Sequence, residues 1–362
     1  MPMSRISSKV CSGMFGALLC GVSLCAVATV PVSEVGEPAR RAALIASQTN
    51  QAVLLGAAVT GSHRLVVVGE RGLVLLSDDD GQHWRQGAVP VSVTLTAVRF
   101  TGQQGVAVGH GGVVLTSTDG GEQWTLRLDG RRAAELALQA AQSANDPLQT
   151  DNAQRLVDEG PDKPFLDVAI DKDGHLLVVG AYGMMFASAD FGQHWSAWMG
   201  RLDNPDGLHL YAIRQRGNDV LVAGERGLVL RSVDSGKTFE RLDTSYKGSL
   251  FTAELLGEQD IVVAGLKGSL LRSHDAGATW QRLTAADASS FTASSLGADG
   301  TLYLVTQAGH VLGLQQGTLV PLSQQALPSL NGILSVDADN VVLLSNRGMT
   351  TLRLDGRAEG LK

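Results

Sequence analysis

Cysteine is nearly absent. The 362-residue chain holds three, Cys11, Cys20 and Cys25, all inside one apolar N-terminal stretch. Beyond that stretch no disulfide and no thiolate metal site can form, and no cofactor is expected. Aromatic residues are sparse at 5%, with four tyrosines in all, so a substrate cleft walled by aromatic rings has little to draw on. An excess of basic charge is missing too: 29 Lys and Arg stand against 36 Asp and Glu. Phosphate contacts need a basic surface, which argues against nucleic acid as a partner. There is no H-E-x-x-H zinc motif, and no metal is expected. Disorder is excluded by 44% hydrophobic residues, enough for a sizeable core.

The N-terminus reads as a targeting segment. Arg5 and Lys9 precede an uncharged apolar run from Val10 to Val30, and Ala26-Val27-Ala28 has the small-x-small form of a cleavage site. Residues 1–28 are therefore expected to be a signal peptide, and the protein to be exported to the periplasm or the periplasmic face of a membrane. The run is also long enough for an uncleaved anchor. Cys20 and Cys25 each follow a leucine, where a lipid-attachment box needs a small residue. Cleavage would move the formal charge from −7 to −9, since Arg5 and Lys9 go and no acid does.

What is abundant is glycine, at 43 residues, and it recurs in a pattern. Five segments superimpose: GERGLVLLSDDDGQHW from Gly69, GHGGVVLTSTDGGEQW from Gly109, GAYGMMFASADFGQHW from Gly180, GERGLVLRSVDSGKTF from Gly224 and GLKGSLLRSHDAGATW from Gly265. Each reads G-x-x-G, an apolar run, S-x-D-x-G, then an aromatic residue. Two weaker copies begin at Thr306 and Ser345 and lack the S-x-D-x-G part. Five of the six steps between copies span 39 to 44 residues, the period of a four-stranded propeller blade. The remaining step, of 71, carries an insertion.

The expected fold is all-β: one seven-bladed β-propeller over residues 48–356, with a helical insertion between blades 2 and 3 at about 130–164 and a tail at 357–362. Within each unit the strands run A to D from the channel outwards, and the glycines are expected to take φ > 0 in tight hairpins. Large apolar residues recur where strand A begins, at Leu95, Phe165, Leu210, Phe251, Phe291 and Leu330, and are read as core. Arg132–Gln142 and Asn152–Asp158 have helical composition, broken at Asp146-Pro147 and Gly160-Pro161. The last unit shows no clear strand D. Residues within 31–47 are expected to supply it and close the ring; a short helix over Pro38–Ser47 is the competing reading.

S-x-D-x-G-x-x-W is the Asp-box, or bacterial neuraminidase repeat, found in sialidases and sortilin-like receptors. The whole unit, with G-E-x-G ahead of the apolar run, resembles the photosystem II stability/assembly factor family of seven-bladed propellers, over about residues 50–355. That resemblance implies a non-enzymatic factor that docks on membrane-protein precursors. The long insertion is a departure from the family. A sialidase would imply three arginines for the substrate carboxylate, a tyrosine nucleophile with a glutamate and an aspartate acid/base; seven units disagree with its six blades, and no Arg-Ile-Pro-type motif is present. The alternatives carried are such a glycan hydrolase and a structural accessory of an envelope export system.

Candidate residues follow from the blade pattern. The Asp-boxes are C–D turns, so Asp79, Asp119, Asp190, Asp234 and Asp275 are read as structural, with Trp84, Trp124, Trp195 and Trp280 packing between blades. The B–C turns lie on the opposite face, near the central opening, and present Arg71, His110, Tyr182, Arg226, Lys267 and Arg347. This partial basic ring is the expected partner-binding surface, since arginine suits carboxylate and interface recognition. The simpler reading is solvated turn residues paired with Glu70 and Glu225. The insertion reaches the same face and is read as a lid or docking arm. The expected partner is a membrane protein or envelope complex, with no small-molecule cofactor and a monomeric propeller.

Overall fold

The computed structural model describes residues 37–323, 325–354 and 357–358. The expected signal peptide at 1–28, residues 29–36 and residues 359–362 lie outside the described residues. Residues 36–362 form one compact unit.

Seven four-stranded antiparallel sheets follow one another in chain order, each built from four consecutive strands. Blade 4 shows the plan. Strand A is Leu210–Arg216, B is Asp219–Gly224, C is Val229–Ser232 and D is Glu240–Arg241. Strands B and C are buried on both faces, which is why they read as unbroken Val/Leu/Ile runs rather than alternating ones. Strand D is short and exposed, the usual treatment of an outer edge.

The first glycine of the G-x-x-G turn differs from expectation. Gly69 has φ −169°, which is extended backbone. A Cβ there would sit 2.2 Å from the carbonyl oxygen of Val53, where the chain runs into strand A. Glycine is needed for close approach, and the same contact recurs at Gly109, Gly180, Gly224 and Gly265. The positive φ belongs to the two residues after the glutamate: Arg71 at 56° and Gly72 at 75°.

The Asp-boxes behave as read. In blade 4, Ser232 Oγ donates to Asp234 Oδ1 at 2.7 Å, and Asp234 accepts from the Thr238 backbone N–H at 2.9 Å and the Thr238 hydroxyl at 2.7 Å. The tryptophans of the first three boxes donate through Nε1 to the box glycine's carbonyl at 2.9–3.1 Å. Trp84 packs on a core cluster shared by blades 1 and 7, to which Val342 and Leu344 belong.

Three expectations are corrected. The strand D missing from blade 7 is Arg357–Ala358, paired with strand C Gly348–Arg353. Residues 357–358 of what was read as a tail thus belong to the sheet. Within 37–47 there is only a 3-10 turn at Pro38–Arg40, so among the described residues this segment closes nothing. The ring shuts by packing: Asn331 Nδ2 donates to the Leu54 carbonyl at 3.1 Å, and Gly348 N–H to that of Ala52 at 2.9 Å. Finally, Phe251 is not core. Leu250 occupies the buried position, and Phe251 points elsewhere.

The insertion is a helical hairpin. α1, Gly130–Ser143, is N-capped by Asp129; α2, Pro147–Glu159, is capped by Asp146 with proline in its first turn. The second helix is longer than its composition suggested. Ala133, Ala137, Ala141 and Ala153 bury the hairpin against blades 2 and 3.

Candidate docking face and central channel

All six candidate residues on the B–C turns are exposed. Arg71, Tyr182, Arg226 and Lys267 stand at equivalent positions with φ between 54° and 56°. A left-handed conformation costs a non-glycine residue roughly 1–2 kcal/mol, so each side chain is aimed by a turn the surrounding repeat holds in place. The glutamates do not simply neutralise this ring. Glu70 accepts from the Val53 N–H at 3.1 Å, and Glu225 from the His209 N–H at 3.3 Å, tying each turn to strand A. Arg226 lies 4.0 Å from Glu225. Among the described residues, Arg71, Lys267 and Arg347 have no carboxylate within ion-pair reach. His110 stands on the blade 2 turn against which α1 packs.

Tyr182 begins an aromatic run. It lies edge-to-face with His209 at 5.0 Å, His209 with Tyr211 at 6.1 Å, and Tyr211 with Phe251 at 5.1 Å. Lys163 sits 5.7 Å above the Tyr182 ring. On one side Tyr182 borders a groove of about 640 Å³ between the helical hairpin and blade 3, walled by Leu148, Leu156 and Met199. On the other side Tyr211 and Phe251 line the central channel, a cavity of about 400 Å³. The groove and the channel mouth are thus joined across one face.

The channel lining was missed in the sequence. Every strand A carries a register shift after its first residue. Such a bulge turns one extra side chain out of the ladder, and the seven residues concerned (Leu55, Thr96, Leu166, Tyr211, Phe251, Thr292 and Asn331) all face the channel. Reading Phe251 as the first residue of its strand was a slip of one position across this bulge.

Deeper in the channel lies a buried ionic network. Asp167, at 7% side-chain exposure, pairs with Arg99 at 3.0 Å and Arg214 at 2.6 Å, and Arg214 with Glu254 at 3.2 Å. Asp167 also accepts from the N–H groups of Val168 and Ile213. Burial works against the charge on Arg214, but Glu254 and Asp167 outweigh it and hold the guanidinium above its ordinary range. Ser294 donates to Glu254 at 2.7 Å. Five blades are laced together, and the two carboxylates that face each other here are spent on the arginine between them. Among the described residues no group of His, Cys, Asp and Glu is arranged to hold a metal.

Fold and face define a seven-bladed Asp-box propeller whose channel is lined by Tyr211 and Phe251, with exposed cations on its B–C turns and a helical hairpin packed on blades 2 and 3. The profile of the family described as photosynthesis system II assembly factor YCF48 matches residues 43–152 and 147–312. The chain belongs to this family. The photosystem II assembly lipoprotein Ycf48 of Synechococcus sp. (strain CC9902) is 26% identical over 125 residues, 34% of this chain and 38% of that protein, so the match spans well under half the relative's length. Among solved structures, YCF48 bound to D1 peptide superposes with a TM-score of 0.62 at 17% identity, over 86% of this chain and 95% of that one. YCF48 from Cyanidioschyzon merolae gives 0.61 at 16%, over 86% and 98%. The WD40 repeats of RRP9 give 0.62 at 11%, over 85% and 91%, which shows how far the architecture alone carries a likeness.

Proposed function

We infer that this protein is an exported, non-enzymatic assembly or docking factor that holds a segment of a membrane-protein partner on the B–C face. The observation that carries the reading is the set of exposed cations on the B–C turns, Arg71, Arg226, Lys267 and Arg347, of which Arg71, Lys267 and Arg347 have no carboxylate within ion-pair reach among the described residues, together with the aromatic run from Tyr182 to Tyr211 and Phe251 of the channel. Desolvated arginine and aromatic side chains are where interfaces concentrate binding energy. Family membership supports an assembly role, and the related YCF48 that carries a D1 peptide supports a polypeptide ligand. The hydrolase reading finds less support. Its facing carboxylates would be Asp167 and Glu254, and both are already ion-paired to Arg214. A hydrolase needs two carboxyls free to face the scissile bond, and here Arg214 stands between them.

The test is crosslinking in cells from position 226, with identification by mass spectrometry, in the native protein and in Arg71→Glu/Arg226→Glu/Arg347→Glu. Capture of one membrane complex, reduced at least tenfold by the triple change, is the expected result. Unchanged capture, or recovery of soluble glycans only, would overturn it.

A further inference from the structure

Ahead of the first blade, residues 37–47 form a strap fixed along its length. Glu37 pairs with Arg131 of α1 at 2.6 Å, and Arg40 lies 3.9 Å from Asp129. The Pro38 carbonyl accepts from the Ser92 N–H at 2.7 Å, and the Ala43 N–H donates to Val89 at 3.0 Å. Gln86 grips the far end, donating to the Leu44 carbonyl and accepting from the Ala46 N–H, both at 2.9 Å. Ala39 and Ala43 turn inward onto the core of blades 1 and 2. Between these clamps Leu44 and Ile45 are 80% and 82% exposed, the most exposed large apolar side chains among the described residues. Arg40 and Arg41 precede them. Arg41 Nε donates to Ser92 Oγ at 3.1 Å, and no carboxylate pairs with it among the described residues.

A backbone pinned on both sides presents two bulky aliphatic side chains to water, a combination that marks a contact surface. Two guanidinium groups followed by two aliphatics suit a lipid–water interface: the aliphatics enter the acyl boundary while the cations meet anionic headgroups. The uncharged run Val10–Val30 ends six residues before Glu37. Six extended residues reach about 20 Å, so the strap is within range of any bilayer that run enters. The clamps Ser92, Asp129 and Arg131 belong to the D–A connections, on the same side of the propeller as the B–C turns.

We propose that Leu44 and Ile45, with Arg40 and Arg41, form a contact site for an anionic lipid bilayer. The inference stands on the strap and not on the docking reading, and position-226 crosslinking reports on the latter separately. The test is co-sedimentation of residues 29–362, which contain the whole compact unit, with vesicles of 30% phosphatidylglycerol in phosphatidylcholine. Sedimentation with the vesicles is expected, reduced at least tenfold by Leu44→Asp/Ile45→Asp and weakened by Arg40→Glu/Arg41→Glu, with unchanged circular dichroism and thermal midpoint. No sedimentation of the unsubstituted chain overturns the proposal. So does sedimentation that survives both double substitutions. Lipid-free dimers that the Asp pair abolishes would assign the two side chains to a self-interface instead, and overturn it equally.

Discussion

Each box aspartate does its work within seven residues of chain. The i+4 backbone N–H and the serine two residues earlier donate to it, joined at Asp79, Asp190, Asp234 and Asp275 by the i+4 side chain. Those bonds hold Asp79, Asp190, Asp234 and Asp275 at a pKa of about 2, below the usual carboxylate value. For the first three the largest contribution is the backbone N–H of His83, His194 or Thr238; for Asp275 it is the Thr279 hydroxyl. A carboxyl more acidic in the folded than in the unfolded chain stabilises the fold above its unfolded pKa, near 4. That contribution disappears as pH falls through the folded value. The thermal midpoint should therefore hold level from pH 7 to about 5 and drop between about pH 4 and 2. A variant with all four changed to asparagine should melt lower at pH 7 and show a shallower acid limb by differential scanning calorimetry. Equal acid slopes in the two proteins would show that the boxes do not set it.

At the scale of elements, side chains that cross between blades add to the ladders of the inner strands. Thr96 reaches the Phe165 carbonyl, Thr292 that of Leu330, and Thr252 and Ser294 share a hydrogen bond. Asp167 is the centre of this lacing. Removing one member of a buried ion pair leaves the other charge uncompensated, at a cost of about 3–5 kcal/mol. Asp167→Ala should lose about that much in urea unfolding, because Arg99 and Arg214 both lose a partner. Asp167→Asn should lose less, since it can still accept from Ile213. A loss under about 1 kcal/mol for the alanine variant would mean the channel charges are solvated rather than interlocked.

For the whole molecule, the notable property is that, among the described residues, each blade is built from four consecutive strands. The seam between blades 7 and 1 is closed by Asn331, Gly348 and the shared core cluster to which Val342 and Leu344 belong and on which Trp84 packs. A permutant joining the two ends through a flexible Gly/Ser linker, with new termini between the exposed Ala286 and Asp287, should fold. Its circular dichroism should match the parent's, and its thermal midpoint should lie within a few degrees. An unfolded permutant would show that closure depends on where the chain begins.

The sequence by itself determined the number of blades, the Asp-box turns and the place of the insertion, because these are local and periodic. A serine, an aspartate and a glycine within five positions specify their own turn wherever they fall, and a 40-residue period needs seven copies to be counted. The B–C turn residues were legible for the same reason, through their fixed offset from the first glycine. Tertiary structure alone decided the channel. Its side chains are set by a one-residue bulge that inverts the facing of strand A, and its ion pairs join residues 40 to 68 positions apart that differ from blade to blade. It also decided the seam and the strap, since a hydrogen bond between residues 277 apart leaves no mark on either neighbourhood. Some contacts between blades recur, as when Thr96, Thr292 and Asn331 each donate to the first strand A carbonyl of the next blade, but the ion pairs differ from blade to blade, so only the closed ring shows which side chains meet across it.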